Sequence, residues 1–179
     1  MRSLAMAALF VLAAGCATRP VVKPTVAAPP PAPAPPPPMK KMAVMPVEKL
    51  VQPTVAAALN ERLSKASVGG VGETTTAPIS MDMALLQVEC AQPSDECYGK
   101  IAKKLEADRL LWAEIDQPAR PKKKKPGPTT VRIVMYDVEK ASIVGRAEET
   151  FSGPVPNEAL DEMLARATTA PGPKKAVSP

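Results

Sequence analysis

The proline-rich segment at residues 17–38 restricts the fold of this chain more than any other feature. Its sequence, ATRPVVKPTVAAPPPAPAPPPP, contains ten prolines among alanines and valines. Proline fixes φ and lacks a backbone N–H, so this composition favours extended polyproline II over helix or sheet. At about 3.1 Å per residue, the segment spans on the order of 60–70 Å as a semi-rigid spacer. The sequence therefore predicts a linker, and the alternative is a proline-rich ligand for a groove on a partner.

An apolar run that ends at Cys16 precedes this linker. Arg2 is the only charged side chain before Cys16, and residues 4–14 form the apolar core. This length is typical of a signal peptide and falls short of the roughly 20 residues that a spanning helix needs. We therefore expect residues 1–15 to be a signal peptide that is removed before Cys16. The alternative is an ordinary cleaved signal with an unrelated cysteine.

The motif LAAGC at residues 12–16 resembles the lipobox of bacterial lipoproteins, although alanine replaces the common leucine three residues before the cysteine. In that family the cysteine sulfur receives a diacylglycerol and the new amino terminus is acylated. The resemblance therefore implies lipidation of Cys16, with no other cofactor. Several acyl chains anchor a protein far more firmly than one chain does. Aspartate after the cysteine favours inner-membrane retention in this family, and Ala17 stands here. We expect an outer-membrane anchor facing the periplasm, with the inner membrane or cell surface as alternatives.

The basic charge of the chain is concentrated in one run. The whole chain has 23 Lys and Arg against 18 Asp and Glu, but residues 42–173 contain 16 basic and 18 acidic residues, a net charge of −2. With 3% aromatic residues there is no stacking platform for nucleic acid, and no nucleic-acid partner is expected. The run RPKKKKP predicts either a solvated turn or a site for anionic lipid, peptidoglycan or another wall polymer. Its basic residues are Arg120, Lys122, Lys123, Lys124 and Lys125.

Residues 39–168 are expected to form one α/β domain, followed by a disordered tail at 169–179. The hydrophobic patterns predict a small mixed sheet of about four or five strands packed with three or four helices, in two or three layers. The expected order is β-α-(β)-α-α-β-β-β-α. The predicted strands lie at 39–47, 72–76, 108–116, 129–138 and 143–153, and the predicted helices at 53 to about 68, 79–90, 94–108 and 157–168.

The segments KMAVMPV, CYGKIAKKLEADRLLWAEI and VRIVMYDVEKASIVGRAEE resemble the amino-terminal domain of TolB and related periplasmic domains. The similarity covers most of residues 40–151. In that family a helix leads through an Ala-Asp dipeptide into a core strand. The resemblance implies a binding module of an envelope assembly, without catalytic residues. The chain departs from the family pattern at Ala113, where a glycine is usual, and in its lysine-rich loop.

The residue types argue against catalysis. The chain has no histidine, which removes the commonest general base and the commonest metal ligand. There is no phosphate-binding glycine loop and no nucleophile elbow. The adjacent carboxylates Asp95/Glu96 and Glu148/Glu149 suit a helix start and a strand surface. We therefore expect no enzyme, no catalytic or cofactor-binding residue and no metal site.

The remaining cysteines, Cys90 and Cys97, are expected to form a disulfide bond. With Cys16 lipidated, an even pair is left in an oxidising compartment. Two buried free thiols are one alternative. A thiol redox pair is another, although the C-x6-C spacing differs from the C-x-x-C of such pairs.

Three functions follow from these observations. The first is a non-enzymatic, membrane-anchored periplasmic lipoprotein whose α/β domain docks a protein partner in an envelope complex. The second is a binder of anionic wall or membrane polymer through the basic run at residues 120–125. The third is a thiol redox protein that uses Cys90 and Cys97.

Overall fold

The computed structural model describes residues 38–48, 52–118 and 127–169. These residues form five strands and four helices, in the order that the sequence predicts, and they confirm a mixed α/β fold. No helix in these ranges has the length and apolar character needed to cross a membrane. The elements are β1 (Lys40–Val44), α1 (Pro53–Ser64), β2 (Val71–Thr76), α2 (Met81–Gln87), α3 (Asp95–Lys104), β3 (Arg109–Asp116), β4 (Thr129–Asp137), β5 (Ser142–Phe151) and α4 (Asn157–Thr168).

The strands form one sheet with the order β2-β1-β3-β4-β5. Strand β1 is parallel to both of its neighbours, whereas β4 is antiparallel to β3 and to β5. The antiparallel β3–β4 and β4–β5 pairs place Glu114 opposite Arg132, and Arg132 opposite Glu148. These three side chains therefore form one row across three strands.

Helices α1 and α4 cover one face of the sheet. Leu59 and Leu63 of α1 and Leu160 and Met163 of α4 are almost fully buried in this layer. The sheet side of the same core comes from β1, β3, β4 and β5, with Met42, Val44, Leu111, Ala113, Val131, Ile133, Met135 and Ala147. Strand β5 passes so close to α4 that a Cβ atom at Gly145 would overlap the carbonyl oxygen of Ala167. Glycine is required there for close approach.

Helices α2 and α3 cover the opposite face, so the fold is a three-layer sandwich. The hydroxyl oxygens of Ser80 and Ser94 cap them, accepting hydrogen bonds from the backbone N–H groups of Met83 (3.4 Å) and Cys97 (3.3 Å). The core of this layer is aromatic, because the ring of Tyr98 lies 4.8 Å from that of Trp112 and 5.7 Å from that of Tyr136.

A buried ion cluster joins β1, β3 and β4. The carboxylate of Asp137 is buried and accepts hydrogen bonds from Lys40 Nζ at 3.0 Å and Arg109 Nε at 2.9 Å. Burial raises the pKa of Asp137, but the hydrogen bonds from Lys40 and Arg109 outweigh it and hold the pKa below its usual value. Nearby, Asp108 accepts a hydrogen bond from the backbone N–H of Lys41 at 2.8 Å. Both aspartates therefore have structural partners.

Several elements end earlier than predicted, and α1 and α3 each end about four residues early, at Ser64 and Lys104. Two of the differences have a visible local cause. Strand β1 ends at Val44, because Pro46 has no N–H to donate and Val47 instead bonds the side chain of Asn60 through its N–H (2.7 Å) and its carbonyl (3.0 Å). Helix α2 ends at Gln87, three residues before the predicted end. The chain leaves the helical path there, and Glu89 has φ +55°.

Candidate functional site

The predicted site residues divide into two groups. Cys16 and the basic residues 120–125 lie outside the described residues, as do nearly all of the predicted linker and most of the predicted tail. The disulfide between Cys90 and Cys97 is present, with the two Cα atoms 6.1 Å apart. Cys97 is buried in the core beneath α2 and α3, and Cys90 packs against that core. The bond therefore joins the two helices at their corner.

Helices α2 and α3 are too short to cover their whole face of the sheet. They have seven and ten residues, and they bury Trp112, Val134 and Tyr136. Beyond these side chains the sheet is open to solvent. Because side chains alternate along a strand, this open area, which we call the β4–β5 face, consists of Glu114, Asp116, Thr130, Arg132, Arg146, Glu148 and Thr150.

Ion pairs hold the charged side chains at the centre of the β4–β5 face in defined positions. Arg132 donates from Nη1 to Glu114 at 2.6 Å, and from Nε and Nη2 to the two carboxylate oxygens of Glu148 at 3.0 and 3.3 Å. Arg146 donates to Glu148 at 2.6 Å, and the indole N–H of Trp112 donates to Glu114 at 3.0 Å. A guanidinium held by several carboxylate oxygens has a defined orientation. The row is thus an ordered array of charged groups across three strands.

Arg132 and Glu148 stay ionised at physiological pH. Hydrogen bonds from Arg132, and then from Arg146, lower the pKa of Glu148 to about 2. Hydrogen bonds to Glu148 and then to Glu114 raise the pKa of Arg132 above its usual value. The charges of Arg132 and Glu148 are therefore permanent.

The border of the β4–β5 face toward α2 is acidic. A cavity of about 160 Å³ lies there, with the carboxyl groups of Glu48, Asp82 and Glu114 around it and Met81 and Ala113 in its apolar part. Burial raises the pKa of Asp82, and the nearby carboxylates of Glu48 and Glu114 raise it further. Within the described ranges, no group of three or more acidic or cysteine side chains has the arrangement to hold a metal ion.

A larger cleft, of about 460 Å³, lies where β3 and β5 end and α1 begins. Its polar side chains are neutral and bond one another. Gln52 donates to Gln117 at 3.2 Å, and Gln117 donates to Thr129 at 3.4 Å. Gln117 and Gly127, near the two ends of the segment with the basic run, both line this cleft. Its lining side chains include no pair of nucleophile and base.

Sequence reasoning did not find the β4–β5 face. It assigned Glu148 and Glu149 to a strand surface, which is where both lie, but on opposite faces: Glu148 bonds Arg132, and Glu149 bonds Arg166 of α4 at 2.9 Å. The signal present in the sequence was the set of charges at 114, 132, 146 and 148. Their grouping depends on the register of two strand pairs.

No family model matches the chain, and no curated protein matches it. Among solved structures, the LpoB C-terminal domain from Escherichia coli is 15% identical and is covered over 83% of its length by 64% of this chain, with a TM-score of 0.38. Lipoprotein GNA1162 from Neisseria meningitidis is 11% identical, with 70% of this chain and 93% of that chain covered and a TM-score of 0.34. TolB from Acinetobacter baumannii is 18% identical, with 68% of this chain and 24% of that chain covered and a TM-score of 0.31. At these identities and scores, the function proposed below rests on the residues of the chain itself.

Proposed function

We propose that the protein is a non-enzymatic, membrane-anchored lipoprotein whose α/β domain docks a protein partner in the cell envelope. The lipid on Cys16 attaches it to the outer membrane facing the periplasm, and the linker holds the domain away from the bilayer. The observation that carries the docking function is the β4–β5 face, a sheet surface that its helical layer leaves open.

The form of this face favours a protein partner. It is a sheet surface of charged and polar side chains, whereas small-molecule sites are concave and mostly apolar. Its central arginine is already oriented by carboxylates, so little side-chain freedom is lost when a partner binds. Arginine is also enriched at protein interfaces and among the residues that dominate their binding energy.

The docking function is tested by site-specific photocrosslinking in cells. A photoreactive amino acid replaces Thr150, which is exposed on the β4–β5 face, and in a matched variant it replaces Glu162, which is exposed on α4. We expect the full-length lipidated protein to form a discrete adduct from position 150 that is absent from position 162. Identical adducts from both positions, or none from position 150, would contradict docking through this face.

The lipid anchor is tested at Cys16. Serine at this position lacks the sulfur that accepts the diacylglycerol, so the variant is expected to lose palmitate labelling and to accumulate as unprocessed or released protein. Ala17→Asp is the matched control, because it keeps the cysteine and alters only the sorting signal. Normal labelling and fractionation of Cys16→Ser would overturn the lipoprotein assignment.

Binding of anionic polymer through the basic run is the second candidate. The observation that favours it is a contrast in charge. The run contributes five basic residues, Arg120 and Lys122–Lys125, whereas the described residues are acidic overall, with 12 basic and 18 acidic side chains. Replacing Lys122–Lys125 with serine should weaken sedimentation with peptidoglycan or anionic vesicles at low salt. The matched control replaces four other lysines with serine, namely Lys100, Lys103, Lys104 and Lys140. Equal binding by both variants would show that the basic run has no specific binding role and is a solvated turn.

A redox role for the cysteines has less support. The side chain of Cys97 is only 7% exposed and belongs to the core beneath α2 and α3. Reactive cysteines occupy accessible and electropositive surroundings. We therefore assign the Cys90–Cys97 bond a structural role.

A further inference from the structure

We propose that the partner presents lysine or arginine side chains to the β4–β5 face. This inference rests on the proposed docking function and specifies the chemistry of the partner. Three observations support it: the net charge of the face, the ion pairs that its charged groups already form, and the cavity at its acidic border.

The face and its border carry an excess of negative charge. Among the described residues, five carboxylates and two guanidinium groups lie there: Glu48, Asp82, Glu114, Asp116 and Glu148, with Arg132 and Arg146. Complementary potentials steer association and suppress wrong partners. The excess of three carboxylates therefore favours a basic partner surface.

The ion pairs within the face strengthen this conclusion. Both guanidinium groups are already bonded to carboxylates, Arg132 to Glu114 and Glu148, and Arg146 to Glu148. Within the described part of the chain, Glu48, Asp82 and Asp116 form no ion pair. An acidic partner would have to compete with existing pairs, whereas a basic partner meets carboxylates that have no cation among the described residues. These carboxylates lie on two sides of the row, Asp116 farther along β3 and Asp82 across the border cavity.

The border cavity suits a long cationic side chain. Lysine and arginine have an apolar stem and a charged head, and they place the stem along apolar surface. The cavity of about 160 Å³ offers Met81 and Ala113 to the stem and the carboxylates of Glu48, Asp82 and Glu114 to the head. Burial and the two neighbouring carboxylates raise the pKa of Asp82, and a bound cation would relieve that repulsion. The same potential would repel an anionic polymer or lipid surface.

The test combines charge reversal with the photocrosslinker at Thr150. The variant Asp82→Lys/Asp116→Lys reverses two exposed carboxylates that make no side-chain hydrogen bond within the described residues. Its matched control is Glu158→Lys/Glu162→Lys on α4, across the sheet. Asp82 and Glu158 both lie in the first turn of their helices, so the two variants disturb helix dipoles in the same way. Asp82→Asn/Asp116→Asn is a milder second variant, and thermal unfolding confirms that all of them fold.

We expect the adduct to fall by about tenfold or more in Asp82→Lys/Asp116→Lys and to stay within about twofold of wild type in the control, as for charge pairs at interfaces. Mass spectrometry of the crosslinked peptide then identifies the partner residues at the face. Reversal of a lysine or arginine there to glutamate should restore the adduct with Asp82→Lys/Asp116→Lys. This rescue is the result that supports the inference.

The other outcomes separate the two proposals. An adduct that persists at full yield in the reversed variant overturns the basic partner while docking through the β4–β5 face stands. An adduct that consists of two copies of this chain, joined face to face, also overturns it. The absence of any adduct from Thr150, with the anchor intact, overturns the docking function and the inference with it.

Discussion

The two faces of the sheet differ in how much of each is covered. On one face, α1 and α4 have twelve residues each and bury side chains from β1, β3, β4 and β5. On the other face, the shorter α2 and α3 bury side chains from β1, β3 and β4 but none from β5. Strand β5 therefore has Ala147 in a core and Glu148 in solvent. The first face is covered across four strands, whereas the second leaves exposed the surface that we propose for docking.

The two helical layers are also held in different ways. The α1–α4 layer is held by close packing and by ion pairs, which join Arg62 to Asp161 at 2.7 Å and Arg166 to Glu149 of β5 at 2.9 Å. The α2–α3 layer is held by a disulfide, two serine caps and an aromatic cluster. Short helices are only marginally stable on their own and depend on contacts with the rest of the fold. A covalent bond lets a short layer persist without spreading over β4 and β5.

Gly145→Ala tests the covered face and should have the largest effect. The new Cβ would overlap the backbone oxygen of Ala167, which cannot move without displacing α4. We expect the free energy of unfolding to fall by about 3 kcal/mol or more, measured by urea denaturation. Gly153→Ala is the control, because a Cβ at Gly153 meets no atom within 4 Å. Equal stability of the two variants would show that β5 and α4 are not in close contact.

Asp137→Asn tests the buried ion cluster that Asp137 forms with Lys40 and Arg109. Removing the charge leaves Lys40 and Arg109 without their buried carboxylate, and we expect a loss of about 3 kcal/mol in unfolding free energy. The control, Glu139→Gln, changes an exposed carboxylate on the same lysine and should have little effect.

The same cluster predicts a pH dependence. Since the pKa of Asp137 is lower in the folded state, its contribution is fully present above the unfolded value of 3.8 and is lost as pH falls from there through the folded value. The acid loss of stability should therefore be smaller in Asp137→Asn. Parallel stability curves for wild type and variant would contradict this assignment.

Cys90→Ala/Cys97→Ala tests how the shorter layer is held. Opening the eight-residue loop should lower the free energy of unfolding by roughly 2.5 kcal/mol on the chain-entropy estimate. A reductant should lower the thermal midpoint of the wild type and leave the variant unchanged. If the reductant shifts both proteins equally, the disulfide is not what holds this layer.

Local patterns were sufficient for the element order. The continuous apolar run of β3 predicts a strand covered on both faces, and the spacing of Leu59, Leu63, Leu160 and Met163 predicts helices with one buried side. The number of cysteines predicts the disulfide. Local patterns do not predict contacts between residues that are far apart in the chain. The end of β1 depends on Asn60, a partner that lies 13 residues away in the chain.

The candidate site was missed for a related reason. Charges at 114, 132 and 148 come together only in the observed registers of β3, β4 and β5. The β3–β4 connection, residues 117–128, is too long for a tight turn that would fix the register from sequence. The length of α2 also decides how much of the face stays open, and this helix was predicted to be longer than it is.

Arg132→Gln should have the smallest effect on stability and separates recognition from folding. Its ion pairs are partly exposed, and such pairs contribute little, so we expect the thermal midpoint to change by only a few degrees. Docking should respond more strongly, because Arg132 orients both Glu114 and Glu148, and the adduct from Thr150 should fall by about tenfold. Arg166→Gln is the matched control, since it removes an exposed arginine that pairs with Glu149 on the covered face. If both variants reduce the adduct equally, the open face has no special part in docking, and the contrast between the two faces concerns stability alone.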